Sequence, residues 1–514
     1  MESSAVQVTT PLGPPVDTSA PGAKGVKPDA IGYASNVVIA VASTAPAYSL
    51  ATTLGFITAT AGVGLHAPGI LILAFVPMLF VSLGYRWLNL ADPDCGTTFA
   101  WTTRALGPQL GWLNGWAIFL ADVIVMASLA DIASIYTYDL VGWTAAANSN
   151  LAQIIGCVVW IVLMTWICYR GIELSARIQM ALLSLEVVVL VIFAVVALIK
   201  IYNGDFHNSI HPALSWFNPF VSTGPLADSL LLAIFIYWGW DSGVAVNEES
   251  TNKAEGPGRA AVVSTVLLLL IYVLVAVGAQ GIHGTAFLNH NANDVLSPLG
   301  TAVFGSGFLQ KLLLFCVLTS ASASTQTTIL PTARTTLSMA NWGAIPKSIG
   351  RIHPRFLTPT VSTLGMGAIS IVWTVGLLAF NPGGSVLEDS ITALGFSVCF
   401  YYGFTGVACI VYFRKELFRS VRRVLLVGVL PLLGAIGMFA IFAKAYETES
   451  KSGYNYSAPL LGIQVPIVIG IGGLLLGVVL MLIAWPLQRD YFRRRPQTAD
   501  PAILEAHFAR KTQS

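Results

Sequence analysis

The sequence is poor in charged residues, and this shortage excludes most soluble folds. Only 10% of the 514 residues are Asp, Glu, Lys or Arg, against about 25% in an average soluble domain. Hydrophobic residues make up 55% of the chain, and the mean hydropathy is +0.73. This composition is typical of a membrane protein. The net charge is only +2, and the basic clusters lie between apolar runs, so no nucleic-acid partner is expected.

The signals of several other protein classes are missing from the sequence. There is no Gly-x-x-x-x-Gly-Lys-[Ser/Thr] phosphate loop, which argues against an ATP-driven pump. The seven histidines do not pair at metal-ligand spacing, so neither a metal nor another cofactor is expected. The six cysteines indicate no disulfide framework, because none lies in a predicted outer loop. No nucleophile and base set can be located, so the chain is predicted not to be an enzyme.

Long apolar runs dominate what is present. A membrane-spanning helix needs about 20 apolar residues. By this criterion the sequence predicts an all-α membrane protein with twelve transmembrane helices, called spans 1 to 12 below. They lie near residues 31–59, 68–88, 111–138, 151–169, 177–200, 226–249, 260–281, 309–332, 360–380, 389–413, 423–444 and 463–486.

Positive charges indicate the orientation of these spans. With the N-terminus in the cytoplasm, all but four of the 27 Lys and Arg residues fall on the inner side. Because positively charged loops remain in the cytoplasm, both termini are expected there, with the protein in the cell membrane. The exceptions are Lys200, Lys311, Lys444 and Lys451.

Two spans differ from the rest because irregular residues interrupt them near mid-depth. One break occupies residues 43–46 of span 1, and the other occupies residues 237–241 of span 6. Lipid supplies no hydrogen-bond partners, so irregular backbone persists at this depth only where protein or water surrounds it. Two such breaks predict a transporter whose substrate site lies between them, although a proline kink covered by neighbouring helices is the alternative for span 1. The candidate substrate-binding residues are Ser43, Thr44, Ala45, Pro46, Trp238, Gly239, Trp240 and Asp241.

The breaks also divide the chain into two sets of five spans. Because five is an odd number, the second set begins on the opposite side of the membrane, and the predicted repeat is inverted. Residues 1–30 and the stretch after Asp490 are expected to be disordered. The predicted organisation is an N-terminal tail at 1–30, a first repeat at 31–200, a second repeat at 226–413, spans 11 and 12 at 423–486, and a C-terminal tail at 487–514.

Three carboxylates lie deep in the predicted spans, with no Lys or Arg at matching depth. Asp122 lies in span 3, Glu186 in span 5 and Asp241 in span 6. A charged carboxylate at the bilayer centre costs about 2.5–3.5 kcal/mol even on a lenient scale. These acids are therefore expected to couple or gate transport, either by taking a proton or by meeting a cationic substrate. A neutral carboxyl group bonded to a backbone carbonyl is the structural alternative for each.

Other polar and aromatic residues have more than one interpretation. The flat rings of Trp238 and Trp240 suit an apolar side chain or an ammonium group. Glu248 and Glu249 are candidates for inner-gate salt bridges near Lys253 and Arg259, or for a solvated helix face. Tyr401 and Tyr402 are candidates to close the outer side of the site. A run of hydroxyls in span 8 either faces the site or bonds its own helix; it comprises Thr319, Ser320, Ser322, Ser324, Thr325, Thr327 and Thr328.

Several segments, in order and spacing over residues 31–415, resemble the amino acid–polyamine–organocation permeases. The resemblance implies a leucine-transporter-type fold with a 5+5 inverted repeat plus two extra helices. It also implies a secondary active transporter for amino acids, with a polyamine or another organic cation as the alternative substrate. The segments are GTTFAWTTRALGPQLGWLNGW at 96–116, GIELSARIQ at 171–179, EESTNK at 248–253 and the stretch 331–359.

The resemblance adds residue-level expectations and shows one departure. Glu186 matches a span 5 position that is lysine in several proton-coupled members, and Asp241 matches an acid linked to gating and pH response. Many members have a Gly-Ser-Gly-type break in span 1, whose backbone groups bind the substrate carboxylate. Here residues 43–46 replace that break, and Pro46 removes one N–H donor. Proton coupling is the preferred drive; a receptor that only signals and a passive channel are the rivals, and the oligomeric state stays open.

Overall fold

The computed structural model describes residues 24–60, 62–221, 226–380, 385–451 and 457–510, and these residues form α-helices and short connections. The α-helices are α1 Tyr33–Ser43, α2 Pro46–Ala59, α3 Ala67–Ala91, α4 Thr98–Leu106, α5 Pro108–Leu140, α6 Thr144–Ala147, α7 Asn150–Arg170, α8 Ile172–Asn203, α9 Leu226–Tyr237, α10 Ser242–Ala245, α11 Gly256–His290, α12 Leu296–Phe304, α13 Phe308–Asn341, α14 Thr360–Phe380, α15 Ser385–Phe413, α16 Val421–Arg423, α17 Leu430–Glu449, α18 Val465–Leu487, α19 Arg489–Phe492 and α20 Pro501–Arg510.

Eleven segments of the described chain are long and apolar enough to cross a membrane, so the predicted all-α membrane class is confirmed. Span 6 is not among them, because its interruption separates α9 from the short α10. Within span 11, α16, the π-helical turn Val424–Val429 and α17 follow one another directly. The eleven segments are Tyr33–Ala59, Gly64–Ala91, Pro108–Leu140, Asn150–Arg170, Ile172–Asn203, Gly256–His290, Phe308–Asn341, Thr360–Ala379, Asp389–Phe413, Val421–Glu449 and Val465–Leu487.

The break in span 1 follows from its local sequence. Helix α1 ends at Ser43, and α2 begins at Pro46, whose missing N–H is harmless at the first position of a helix. Between them Ala45 takes the left-handed conformation, with φ 46° and ψ 67°. The Thr44 hydroxyl donates to the Val41 carbonyl at 2.7 Å, and the Ser49 hydroxyl donates to the Thr44 carbonyl at 2.6 Å. The Ser49 hydroxyl thus satisfies the Thr44 carbonyl, while the Thr44 hydroxyl adds a second bond to the Val41 carbonyl, which also accepts the Thr44 N–H at 3.1 Å.

The break in span 6 requires a glycine. Gly239 has φ 117°, a region that favours residues without a side chain. A Cβ atom added to Gly239 would lie 2.8 Å from the Ser43 carbonyl oxygen. The two broken spans therefore touch at backbone distance, and only glycine permits this approach.

Around the breaks, the long helices α5 and α13 form a scaffold. Helix α5 packs against α13, α15 and α7, while α13 also packs against α8, α1 and α2. This arrangement carries side chains from spans 3, 5 and 8 to the interrupted segments. The exact limits of the two repeats stay predictions.

The described parts of both predicted tails contact the spans, and the disorder of the remaining tail residues stays a prediction. Within residues 24–30, the Ala30 N–H donates to the Glu249 carbonyl at 2.8 Å, and Lys24 pairs with Asp94 and Glu248. After α19 the Gln497 N–H donates to the Arg104 carbonyl at 2.6 Å, and the Ala499 N–H donates to the Tyr412 carbonyl at 2.9 Å. Phe508 of α20 stacks on Trp87 with 5.5 Å between ring centroids. Residues 1–23 and 511–514 lie outside the described chain.

Replacing Gly239 by Ala should destabilise the protein by about 1–3 kcal/mol, the usual cost of one strained residue. The added methyl group meets the Ser43 carbonyl in a backbone conformation that alanine rarely adopts. Thermal unfolding of the purified protein in detergent measures the effect. Gly376→Ala in α14 is the matched control, since a Cβ there meets no atom within 4 Å. Equal melting temperatures for the two variants would contradict this account of the break.

Candidate functional site

The two breaks meet in a buried cluster of polar groups. The Ser43 and Ser242 hydroxyl oxygens lie 2.7 Å apart, and the Ser324 hydroxyl of α13 donates to the Ser43 carbonyl at 2.8 Å. Ser43, Thr44 and Asp241 are each at most 6% exposed. The structure thus brings residues 43–46 and 238–241 together, as the sequence predicts for a site between the breaks.

Asp241 lies among three tyrosine hydroxyls. Tyr402 donates to its Oδ1 at 3.0 Å, and Tyr401 donates to its Oδ2 at 3.2 Å. Tyr85 of α3 approaches the same Oδ2 at 3.5 Å, which is a weak contact. All of these hydroxyls are neutral donors. A carboxylate held in this way keeps its negative charge available to a cation.

Aromatic rings complete the surroundings of Asp241. Trp240 stacks on Tyr402 at a centroid distance of 5.1 Å and meets Tyr85 edge-on at 4.8 Å. The Trp238 indole N–H donates to the Tyr401 hydroxyl, which in turn donates to Asp241. Rings around a carboxylate form a suitable environment for an ammonium group, because both attract positive charge. We call Asp241 with Tyr85, Trp238, Trp240, Tyr401 and Tyr402 the aromatic cage.

Sequence reasoning found part of this cage and missed the rest. Trp238, Trp240 and Asp241 were recognisable because they form the break itself. Tyr401 and Tyr402 were expected at the outer side of the site, and the structure places their hydroxyls on Asp241. Tyr85 was missed; the only available signal was a tyrosine near the inner end of an otherwise apolar run.

Glu186 of α8 reaches the start of α2. Its Oε1 accepts a hydrogen bond from the Ala47 N–H at 2.7 Å and another from the Ser320 hydroxyl at 2.7 Å. The side chain is 1% exposed. The N-terminus of a helix carries partial positive charge and free N–H groups, so it stabilises a carboxylate. Glu186 therefore links spans 1, 5 and 8.

Asp122 has a different environment. The Thr332 hydroxyl of α13 donates to its Oδ2, and Asp122 is 2% exposed. This bond ties α5 to α13 rather than to either break. The described contacts favour a structural role for Asp122, and a gating role stays a prediction.

The hydroxyl run of α13 divides between the two roles considered from sequence. Ser320 and Ser324 face the break in span 1, through Glu186 and the Ser43 carbonyl. Other members donate to carbonyls of their own helix, as expected for hydroxyls in membrane helices: Thr319 to Cys316, Ser322 to Leu318, Thr325 to Ala321 and Thr327 to Ala323.

A network of ion pairs joins several spans at the end that the sequence predicts to face the cytoplasm. The Lys24 ammonium lies 2.5 Å from Asp94 Oδ1 and 2.7 Å from Glu248 Oε1, and it also donates to the Ser338 hydroxyl at 3.2 Å. We call Lys24, Asp94, Glu248 and Ser338 the inner latch. Cys95 contributes a thiol beside the two acids, a set that metal ions also use, but here Lys24 supplies the positive charge.

Asp94 and Lys24 of the latch keep their charges near neutral pH. Burial alone would raise the pKa of Asp94, but the Lys24 ammonium, Ser338 and the Gly96 N–H outweigh this effect and hold it at about 2. Burial tends to lower the pKa of Lys24, yet the neighbouring acids raise it above its ordinary value. The contribution of Asp94 to stability is therefore present above its unfolded pKa and is lost only as the pH falls toward 2.

The partners of Glu248 and Glu249 differ from those expected. Lys24 binds Glu248, while Arg334 of α13 forms a two-pronged pair with Glu249 at 2.8 and 2.9 Å. Arg334 and Glu249 side chains are each 1% exposed. Lys253 and Arg259, which are nearer in sequence, are not the residues that the structure pairs with these acids. The structure therefore shows salt bridges to both acids, with Lys24 and Arg334 as the cations in place of Lys253 and Arg259, and an inner-gate role for these pairs stays a prediction.

Comparison with known proteins agrees with the membrane fold. The sequence model of the amino acid permease family matches residues 32–469. The fold and site define a multi-pass membrane transporter, and the chain belongs to the amino acid permease family. It is accordingly a permease and not an enzyme.

Individual relatives carry different substrates in their names. The branched-chain amino acid permease BcaP of Lactococcus lactis is 24% identical over 73% of this chain and 82% of its own. The low-affinity putrescine importer PlaP of Escherichia coli K12 is 22% identical over 76% of this chain and 84% of its own. The Asc-type amino acid transporter 1 of Mus musculus is 24% identical over 68% of this chain and 65% of its own.

Removing the charge of Lys24 should expose Cys95, which lies beside the latch and is 1% exposed. In Lys24→Met two buried acids lose their cation, and we expect the Cys95 thiol to react at least about fivefold faster with a maleimide. Mass spectrometry of the Cys95 peptide measures the rate. Lys27→Met is the control, because the Lys27–Glu173 pair is exposed and such pairs contribute little. A Lys24→Met rate equal to that of the unmodified protein would exclude the latch.

Proposed function

We propose that this permease moves a small amino acid or amine across the cell membrane by alternating access, driven by protons, with both termini in the cytoplasm. One observation carries the proposal. Asp241, inside the aromatic cage, lies at the point where the two broken spans meet. A buried carboxylate surrounded by rings provides a binding place for the amino group that such substrates share.

Proton coupling is supported by the charges around Glu186 and Asp241. The described hydrogen-bond partners of both carboxylates are backbone N–H groups or hydroxyls, with no Lys, Arg or His among them. A substrate ammonium can neutralise Asp241, and a proton can neutralise Glu186. With both carboxylates neutralised, the helices can rearrange around the buried site at a lower electrostatic cost than with two unpaired charges.

Alternating access is supported by the contacts that close the inner side. The N–H groups of Ala30 and Ile31 donate to the Glu249 carbonyl at 2.8 and 3.1 Å, and the Thr251 N–H donates to the Ile31 carbonyl at 3.0 Å. These bonds join the inner ends of spans 1 and 6, the two broken ones. Together with the inner latch they must separate for substrate to leave toward the cytoplasm.

A polyamine or another organic cation is the second candidate substrate. Glu186 favours it, since its carboxylate already occupies the N-terminal end of α2. Two rival functions predict different behaviour. A receptor with this fold would bind ligand without flux, and a passive channel would show no saturable counterflow of labelled substrate.

An imposed pH gradient should drive uptake into reconstituted vesicles. With the outside acidic, we expect uptake of a transported amine at least about fivefold above uptake without a gradient. Glu186→Gln should remove this stimulation because glutamine cannot release a proton. Protein-free vesicles control for passive amine permeation. Uptake that is indifferent to the gradient would exclude proton coupling, and intact stimulation in the variant would remove Glu186 from that role.

Neutralising Asp241 should weaken substrate binding. We expect Asp241→Asn to lower affinity at least about tenfold, because the ammonium loses its counter-charge. Tyr402→Phe should have a smaller effect, since it removes one hydroxyl from the carboxylate and keeps the ring. Tyr446→Phe, which alters an exposed tyrosine of α17, is the control. Isothermal titration of the purified protein measures the affinities, and unchanged affinity in Asp241→Asn would contradict the assignment of the cage.

A further inference from the structure

The N–H groups at the start of α2 are already occupied by the protein itself. A helix begins with four N–H groups that have no partner in the helix. Pro46 has no N–H, Ala47 donates to Glu186 and Tyr48 donates to the Ser320 hydroxyl at 3.3 Å. Within this described segment, Ser49 is the first residue that donates to a carbonyl of the preceding turn, that of Ala45. The anion-binding end of α2 thus presents no spare donor.

A second carboxylate at the N-terminal end of α2 would be disfavoured by steric overlap with Glu186 and by repulsion between like charges. Glu186 Oε1 lies at hydrogen-bond distance from the Ala47 N–H, so an incoming carboxylate would have to displace it. If both carboxylates stayed charged, like charges would lie within a few ångströms in a site of low dielectric constant, where repulsion is strong. The protein's own acid and a substrate carboxylate therefore exclude each other.

We propose that Glu186 determines substrate specificity by occupying the anion site of α2, so that the transporter selects amines without a free α-carboxylate. The proposal rests on the proposed function and narrows its substrate class. It assigns to the Glu186 side chain the contacts that a substrate carboxylate would otherwise make at the break in span 1.

The charge of the binding region agrees with this assignment. Glu186 and Asp241 place two acids beside the breaks, and their described partners carry no positive charge. A zwitterionic amino acid adds no net charge to this region, so the summed negative charge of the two acids stays unchanged. A monoamine or diamine brings positive charge to the aromatic cage and places no carboxylate against Glu186.

Matched pairs of compounds that differ only by the carboxylate test the proposal. The pairs are putrescine with ornithine and isoamylamine with leucine. Dissociation constants for all four are measured on the purified full-length protein. The unmodified protein should bind the amine of at least one pair at least about tenfold more tightly than the corresponding amino acid. In Glu186→Ala, which vacates the anion site, the ratio for that pair should shift at least about tenfold toward the amino acid.

Ser184→Ala is the matched control, since Ser184 lies two residues away on α8, is exposed and bonds its own helix at Met180. Its ratio should equal that of the unmodified protein. Ser320→Ala provides a second variant that keeps the acid but removes one of its two donors, and it should shift the ratio in the same direction by a smaller factor.

The outcomes distinguish a failure of the specificity role of Glu186 from a failure of the proposed permease function. An unmodified protein that binds ornithine and leucine more tightly than their amines overturns the specificity role while leaving the permease function intact. An unchanged ratio in Glu186→Ala also overturns it. A protein that moves none of the four compounds into vesicles, with or without a pH gradient, instead contradicts the proposed function.

Discussion

The need to satisfy backbone groups away from water governs this structure. Spans 1 and 6 each leave N–H and carbonyl groups free near mid-membrane, and every such group must find a partner inside the protein. In span 1 these partners are Thr44, Ser49, Ser320, Ser324 and Glu186. The same requirement explains why α8 and α13 bring polar side chains to this depth. The site is thus a consequence of the breaks, since the groups that cover them are the ones available to a substrate.

At the end of the protein that is predicted to face the cytoplasm, a related requirement applies to charges: each buried charge needs a partner of opposite sign. Arg334 and Glu249 are almost completely buried, so each would be costly without the other. Lys24 supplies the compensating positive charge for Asp94 and Glu248. These pairs join the N-terminal tail and the inner end of span 6 to the segment after span 2 and to α13. Charges deep in the protein therefore hold one end closed, while polar groups without counter-charge remain at the centre.

Sequence reasoning recovered the features that depend on composition and local backbone chemistry. Apolar runs gave the membrane class, and Pro46 and Gly239 marked the two breaks because their backbone properties are intrinsic. Glu186 and Asp241 were recognisable because acids in apolar runs are rare. The partners of these residues were not predictable, since Tyr85, Ser320 and the Ala47 N–H reach them only through the packing of distant spans. Lys24 was missed for the same reason. Its neighbours in the sequence have the composition of a disordered tail, and only the ion pairs with Asp94 and Glu248 determine its position.

The contact between Gly239 and the Ser43 carbonyl has an evolutionary consequence. At this contact the backbones of spans 1 and 6 lie so close that no side-chain atom fits between them unless one segment moves. A side chain at position 239 can be tolerated only if span 1 breaks elsewhere or retreats, so the two segments must change together in the course of divergence. Relatives with a larger residue at position 239 should therefore have a different backbone path at residues 43–46.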